Sequence, residues 1–365
     1  MRWRRQGLQV MVVLASAISA HPAAASTPTL NQAFADLNNW RQLAGEPLVL
    51  YNEPNLSYGC ELHNAYLAAN HIGGHDEDPA LPGYTQLGAQ AGGSSVLVDT
   101  EVLPRAGFER AVFHRLALLQ PRLQTSWYDA SQGNTCMGVF GINDAEHTLG
   151  LTLYPWPFSG QTQVPIDFGS DQEIPSPYDD APGATHLGYP LSVQVNGPWS
   201  GEDSVVVTGA QLVSERFGPT PVVTVDANSV HGDLLSGGLA LLPFKSLGYH
   251  QRYTASVSGT VSAENPGGTA IAMPFAYSWR FQTDWPTPTL SIWTWSDGRV
   301  QARSPSRAPV KFTYSRGNVV LTQWARPRRR IVPRVHGAWT VCLAQERYGR
   351  WASAQTCYPR LRVGR

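Results

Sequence analysis

Nowhere does the sequence carry an uninterrupted apolar run of the roughly 20 residues that a membrane-spanning helix needs. The apolar run from Leu8 to about Ala20 is shorter. It follows the positively charged start Met1-Arg2-Trp3-Arg4-Arg5 and precedes the small residues Ala23-Ala24-Ala25-Ser26. A charged start, a short apolar stretch and an A-x-A site form a cleavable secretory signal. Residues 1–25 are therefore expected to be removed, leaving a secreted, periplasmic or extracellular protein with no transmembrane segment. No cysteine follows the apolar run to take a lipid anchor, and Arg4-Arg5 lacks a twin-arginine context. Heptads, repeats and low-complexity tracts are also missing. So are the strings G-x-S-x-G and H-E-x-x-H, which removes the sequence signatures of a nucleophile elbow and of a helical zinc protease.

Cysteine is scarce: four residues, all after the signal. In an oxidising compartment they should pair, and four cysteines allow three connectivities. Cys60 and Cys136 fall early in the chain and Cys342 and Cys357 late, so the local pairs Cys60 with Cys136 and Cys342 with Cys357 are expected, with intermolecular pairing as the alternative.

Charge balances overall, with 27 basic and 27 acidic residues, but not locally. The stretch Pro286 to Arg365 holds 15 Lys and Arg against 2 Asp and Glu, a net +13. Between the signal and Pro286 there are 9 basic and 25 acidic residues, a net −16. An acidic front is joined to a basic tail. Around Arg326-Pro-Arg328-Arg-Arg330 and the aromatics Trp293, Trp295, Trp324, Trp339 and Trp351, such a tail can meet anionic polymer. In an exported protein, a cell-envelope polysaccharide is the expected partner rather than nucleic acid. Docking of the tail on the acidic front is the intramolecular alternative, and the tryptophans also fit the core of a small β unit.

About 340 residues remain after the signal, enough for two or three domains. Leu30, Ala33, Phe34, Leu37, Trp40 and Leu43 recur at helical spacing and stop at Gly45 and Pro47. A second helix is expected from Leu56 to Ala69, with Tyr58, Leu62, Ala65, Tyr66 and Ala69 as its apolar stripe. A third is expected from Phe108 to Leu119, and Cys136 to Gly141 reads as a strand. Residues 146–187 are rich in Pro, Gly and Asp and read as an irregular surface linker. Beyond it the pattern alternates, with short strands at 191–195, 204–208, 222–225, 252–261 and 277–282, the spacing of a β-sandwich. A further β series at 290–295, 310–314, 319–324 and 338–344 completes a small basic unit over 286–365. The fold class is α+β.

The segment 29–145 resembles the CAP superfamily of cysteine-rich secretory, antigen 5 and pathogenesis-related proteins, and more closely its bacterial branch. The residues that carry the resemblance are Asn38-Asn39-Trp40-Arg41 with Gly45 and Pro47-Leu48, the helix Leu56 to His63, His75 with Pro82-Gly83-Tyr84-Thr85, and His114-Arg115-Leu116-Ala117-Leu118-Leu119-Gln120-Pro121. It implies an α-β-α sandwich with a cleft in which two histidines and two glutamates can gather a divalent metal. His75 and His114 match the histidines by position and are the tentative metal ligands, zinc being the natural ion for imidazole. The glutamate of the family's G-E-N motif is missing, because the chain reads Gly88-Ala89-Gln90-Ala91-Gly92-Gly93, with Gln90 in its place. The second glutamate is Glu109 or Glu101. His63 reads either as a cleft residue or as a hydrogen-bonded structural one. The acidic run Asp76-Glu77-Asp78 reads as a solvated loop or as a source of cation oxygens.

Residues 188–285 resemble bacterial immunoglobulin-like modules, on Leu242-Pro243, Tyr253 to Thr260 and Ser278-Trp279-Arg280-Phe281-Gln282-Thr283. The resemblances together imply a non-enzymatic module that needs no cofactor. It would bind a small molecule or lipid around His63, His75, Gln90, Glu109 and His114, with the later domains attaching it to a surface. A metal-assisted hydrolase of peptide or cell-wall bonds is the alternative, as is a structural adhesin with a vestigial cleft. No residue is assigned a catalytic role.

Overall fold

The computed structural model describes residues 27–143, 150–169, 173–197, 204–264, 269–284, 310–317, 319–325, 337–347, 350–351 and 356–363. The expected signal at 1–25, the strand at 290–295 and the basic run Arg326 to Arg330 lie outside them.

The first helix, α1 (Leu30–Ala44), opens on a reciprocal cap. Thr29 accepts from the Gln32 amide through its hydroxyl, and the Gln32 side chain accepts from the Thr29 amide at 2.8 Å. It closes at Gly45, whose φ of 84° is left-handed. Its buried face is Ala33, Leu37, Trp40, Arg41 and Ala44; of the stripe read from the sequence, Ala33, Leu37 and Trp40 are buried, Leu30 and Phe34 are half-buried and Leu43 is exposed.

After β1 (Tyr51–Asn52), α2 (Pro54–Asn70) starts with proline in its first turn and ends at His71 in a left-handed conformation, just before Gly73-Gly74. The face it buries is Gly59, Cys60, His63, Asn64, Tyr66 and Leu67, while Tyr58 is exposed. The stripe is therefore rotated from the expected one. Its orientation is set by two contacts that periodicity does not encode, the Cys60–Cys136 disulfide and packing against α3 (Gln86–Gly92).

The strands β2 (Ser95–Val98), β4 (Tyr128–Ser131) and β5 (Asn134–Gly138) form an antiparallel sheet in the order β2-β5-β4, against which α2 packs through β4 and β5. A second small sheet has β1 parallel to β3 (Leu123–Ser126) and β3 antiparallel to β6 (Gly141–Ile142). The expected helix from Phe108 to Leu119 is α5 (Val112–Leu118), which starts four residues later, and a separate short helix that was not expected, α4 (Pro104–Phe108), precedes it.

Two four-stranded antiparallel sheets follow. One runs β11 (Val222–Val225), β12 (Leu239–Pro243), β8 (Leu191–Asn196), β7 (Thr152–Trp156). The other runs β10 (Gly218–Thr220), β9 (Ser204–Ser214), β13 (Arg252–Glu264), β14 (Ala270–Gln282). Tyr253, Ala255, Val257 and Val261 on β13 and Phe275, Trp279 and Phe281 on β14 point inward at every second position. They share a core with Leu191, Val193, Val195, Leu239 and Leu241 of the first sheet. The same core continues through Trp156 to Trp40 and Leu37, so helix α1 and the β-sheets are packed as neighbours.

Residues 146–187 thus differ from the expected irregular linker where they are described. Thr152–Trp156 is a strand, and Trp156, Val164, Phe168, Ala181 and Leu187 are buried. Pro155 hid the strand from the sequence pattern. It is tolerated because β7 is the edge of its sheet, where a missing N–H costs no internal ladder bond.

The C-terminal strands β15 (Val310–Arg316), β16 (Val319–Ala325), β17 (Gly337–Arg347), β18 (Arg350–Trp351) and β19 (Thr356–Val363) form an antiparallel sheet that includes the expected strands from 310 onward. Phe312 and Tyr314 are buried there, with ring centroids 6.2 Å apart. Cys342 is disulfide-bonded and stands in register with Cys357 across β17 and β19. Among the described residues the class is α+β, and no helix is long and apolar enough to cross a membrane.

Candidate functional site

His63 stands on the buried face of α2 with no solvent access. Its Nε2 lies 3.1 Å from the Gly74 carbonyl, and its Nδ1 lies 2.9 Å from Glu77 Oε1. A carbonyl only accepts, so Nε2 carries a proton. The other carboxylate oxygen, Glu77 Oε2, accepts from the Thr85 amide at 3.0 Å. Both ring nitrogens of His63 are thereby spent inside the protein.

The pair fits because α3 presents glycines to it. A methyl group built on Gly92 would lie 2.4 Å from the His63 ring, and one on Gly88 would lie 2.5 Å from Glu77 Oε1. Of the two readings of His63, the hydrogen-bonded structural one describes it. The run Asp76-Glu77-Asp78 is likewise divided. Glu77 is buried, while the Asp78 side chain closes its own turn on the Ala80 amide at 2.9 Å.

His75 is exposed, with Nδ1 donating to the Gly92 carbonyl at 3.1 Å. Gly92 is thus a neighbour of both histidines, through its Cα position to His63 and through its carbonyl to His75. Gln90, in the place of the missing glutamate, is exposed.

His114 belongs to a different constellation. Glu173 accepts from the backbone amides of Val112, Phe113 and His114 at 2.7, 2.7 and 3.0 Å and bonds His114 Nδ1 at 2.9 Å. Its side chain is fully enclosed. Helix α5 has no side-chain cap of its own at Ala111, and the carboxylate that satisfies its first amides comes from 59 to 61 residues later in the chain. Phe108 stacks on the His114 ring at 5.8 Å, and Nε2 forms no hydrogen bond among the described residues.

The same motif recurs beside it. His231 Nδ1 lies 2.7 Å from Asp180 Oδ2, and the Phe113 ring packs edge-on against His231 at 5.5 Å. Glu173, Asp180 and His231 were not found from the sequence, because none stands at a helical or motif spacing from its partner.

The expected glutamates are engaged elsewhere. Glu109 pairs with Arg105 at 3.2 Å, and its carbonyl accepts from Arg115 Nη1 at 2.6 Å. Glu101 accepts from the Thr27 hydroxyl and the Gly133 amide, which hold its carboxyl below the usual glutamate range. Arg115, the other half of the His114-Arg115 motif, is wholly buried and donates to Ser192 Oγ and to the Pro190 carbonyl, tying α5 to the strand β8 region. Burial pushes its pKa down, partly offset by Tyr189 and Glu173.

These donors do not fit a zinc shell. His63 has no free nitrogen, Glu109 is turned to Arg105, and among the described residues no three His, Cys, Asp or Glu side chains gather as a metal site. His75 and His114 share no bonding partner.

Large apolar side chains also stand exposed at both edge strands of the small β1-β3-β6 sheet. Leu48, Leu50 and Tyr51 at β1 and Phe140 and Ile142 at β6 flank the central strand β3, with Leu50 60% and Phe140 66% exposed. Compared with known proteins, the sequence matches no family model and no curated protein.

Proposed function

We propose that the chain is an exported, non-enzymatic binding protein. Its front is a CAP-type module for a lipidic or small apolar ligand, and its immunoglobulin-like sandwich and basic C-terminal unit attach it to anionic envelope polymer. The observation that carries the ligand class is the set of exposed apolar side chains on both edges of the β1-β3-β6 sheet, since such patches on soluble proteins mark interaction sites. The histidines add support of a different kind. The carboxylates beside His63 and His114 are buried hydrogen-bond hubs that hold structure together.

The test is equilibrium titration of the full mature chain with a long-chain fatty acid and with a phospholipid, alongside elemental analysis. Saturable binding by a metal-free protein is the expected result. Stoichiometric zinc with turnover on peptide or cell-wall substrates would favour the metal-assisted hydrolase, and absence of both leaves the adhesin.

A further inference from the structure

Glu46 is buried directly after α1, and neither of its carboxyl oxygens has a hydrogen-bond partner among the described residues. The cation nearest to it does not fill that gap. Arg41, also wholly buried, donates through Nε to the Pro47 carbonyl at 2.7 Å, through Nη1 to the Leu118 carbonyl at 2.6 Å and through Nη2 to the Gln120 carbonyl at 2.9 Å. Its donors are directed at backbone, and Glu46 receives its charge only through space.

A carboxylate enclosed without donors loses its hydration and gains nothing direct in return. Burial therefore pushes the Glu46 carboxyl well above the usual glutamate range, against the opposing pull of Arg41. The same enclosure lowers the Arg41 pKa to about 10. Tyr154 is the other titratable group facing the pair, and burial and Glu46 both raise its pKa.

The location gives this proton a structural consequence. Tyr154 lies on β7, the edge strand of its sheet, and a methyl group on Gly45 would lie 3.7 Å from its ring. Two residues on, Trp156 meets Trp40 of α1 edge to face at 5.7 Å, and the Trp40 Nε1 also has no hydrogen-bond partner among the described residues. The joint between α1 and the sheet is thus built from aromatic contacts around an unsatisfied acid.

We propose that Glu46 is a proton-binding latch: the joint between α1 and β7 is closed while the carboxyl of Glu46 is protonated, and it loosens when rising pH ionises that group between Arg41 and Tyr154.

The sign follows from linkage. The folded chain keeps this proton to a higher pH than the unfolded chain, whose glutamate titrates near about 4.3. The contribution to stability is full below that value and is lost as pH rises toward the folded-state value.

Urea unfolding of the full chain, followed by tryptophan fluorescence from about pH 5 to about pH 8, tests this against Glu46→Gln, which is neutral throughout. The wild-type unfolding constant is expected to gain up to about tenfold per pH unit over the variant, the slope for one proton. Infrared difference spectra of the wild type alone give a second readout that no folding failure of the variant can obscure. A protonated-carboxyl band is expected to persist above the pH range in which an ordinary glutamate ionises and to vanish together with a change in tryptophan emission. Parallel pH profiles in the two proteins, or a wild type whose carboxyl bands all vanish in the ordinary glutamate range, would overturn the latch.

Discussion

At the scale of single residues, His63 has two hydrogen-bond partners and no solvent, so its removal is a structural event. Glu77→Ala would leave the ring with a buried unpaired nitrogen and is expected to cost about 3–5 kcal/mol in urea unfolding, the range for breaking a buried pair from one side. Gly92→Ala places a methyl group against the same ring and is expected to cost about 1–3 kcal/mol. A variant as stable as wild type in either case would show that the pair is not under the packing constraint described. The histidine was visible in the sequence with both of its readings. Its partner was not. Glu77 lies 14 residues away between two other acids, across a loop with no periodicity, so nothing in the spacing distinguished it from a solvated neighbour. Glu46 was hidden for a similar reason, since a glutamate between glycine and proline reads as part of a polar turn.

At the scale of elements, periodicity served well wherever burial followed it. The strands at 204–208, 252–261 and 277–282 were legible because alternation is the geometry of a half-buried strand, and they extend to Ser204–Ser214, Arg252–Glu264 and Ala270–Gln282. Helix α2 was found but its buried face was misread, because the face is chosen by a disulfide and by close packing with α3. Helix α5 was expected to start at Phe108, four residues too early, because the cap that fixes its first turn is remote. Glu173 supplies four hydrogen bonds to three consecutive residues from a segment that looked like linker. Glu173→Ala is expected to destabilise the chain by about 3 kcal/mol or more and to raise amide exchange at Val112 to His114 selectively, whereas an unchanged exchange pattern would mean that α5 is capped by other means.

At the scale of the whole molecule, the α+β class was readable from the change of period along the chain, but the continuity of the core was not. Leu37, Trp40, Trp156 and Val193 belong to one cluster, although they come from three separately read segments. The Cys60–Cys136 bridge closes a loop of 76 residues, for which chain entropy gives about 4.5 kcal/mol. Reduction or Cys60→Ser with Cys136→Ser is expected to lower the thermal midpoint by many degrees, and a midpoint that does not move would remove the bridge from the account of stability.

The central claim is that the exposed apolar edges of the β1-β3-β6 sheet bind lipid. Its most direct test is vesicle or fatty-acid titration of the wild type against the double variant Leu50→Ser, Phe140→Ser, whose side chains contribute little to the core. The account predicts saturable binding by the wild type and an affinity at least about tenfold weaker in the variant, as expected when roughly 1.4 kcal/mol or more of apolar contact is lost. Equal affinity in the two proteins, or no saturable binding by the wild type, would contradict it.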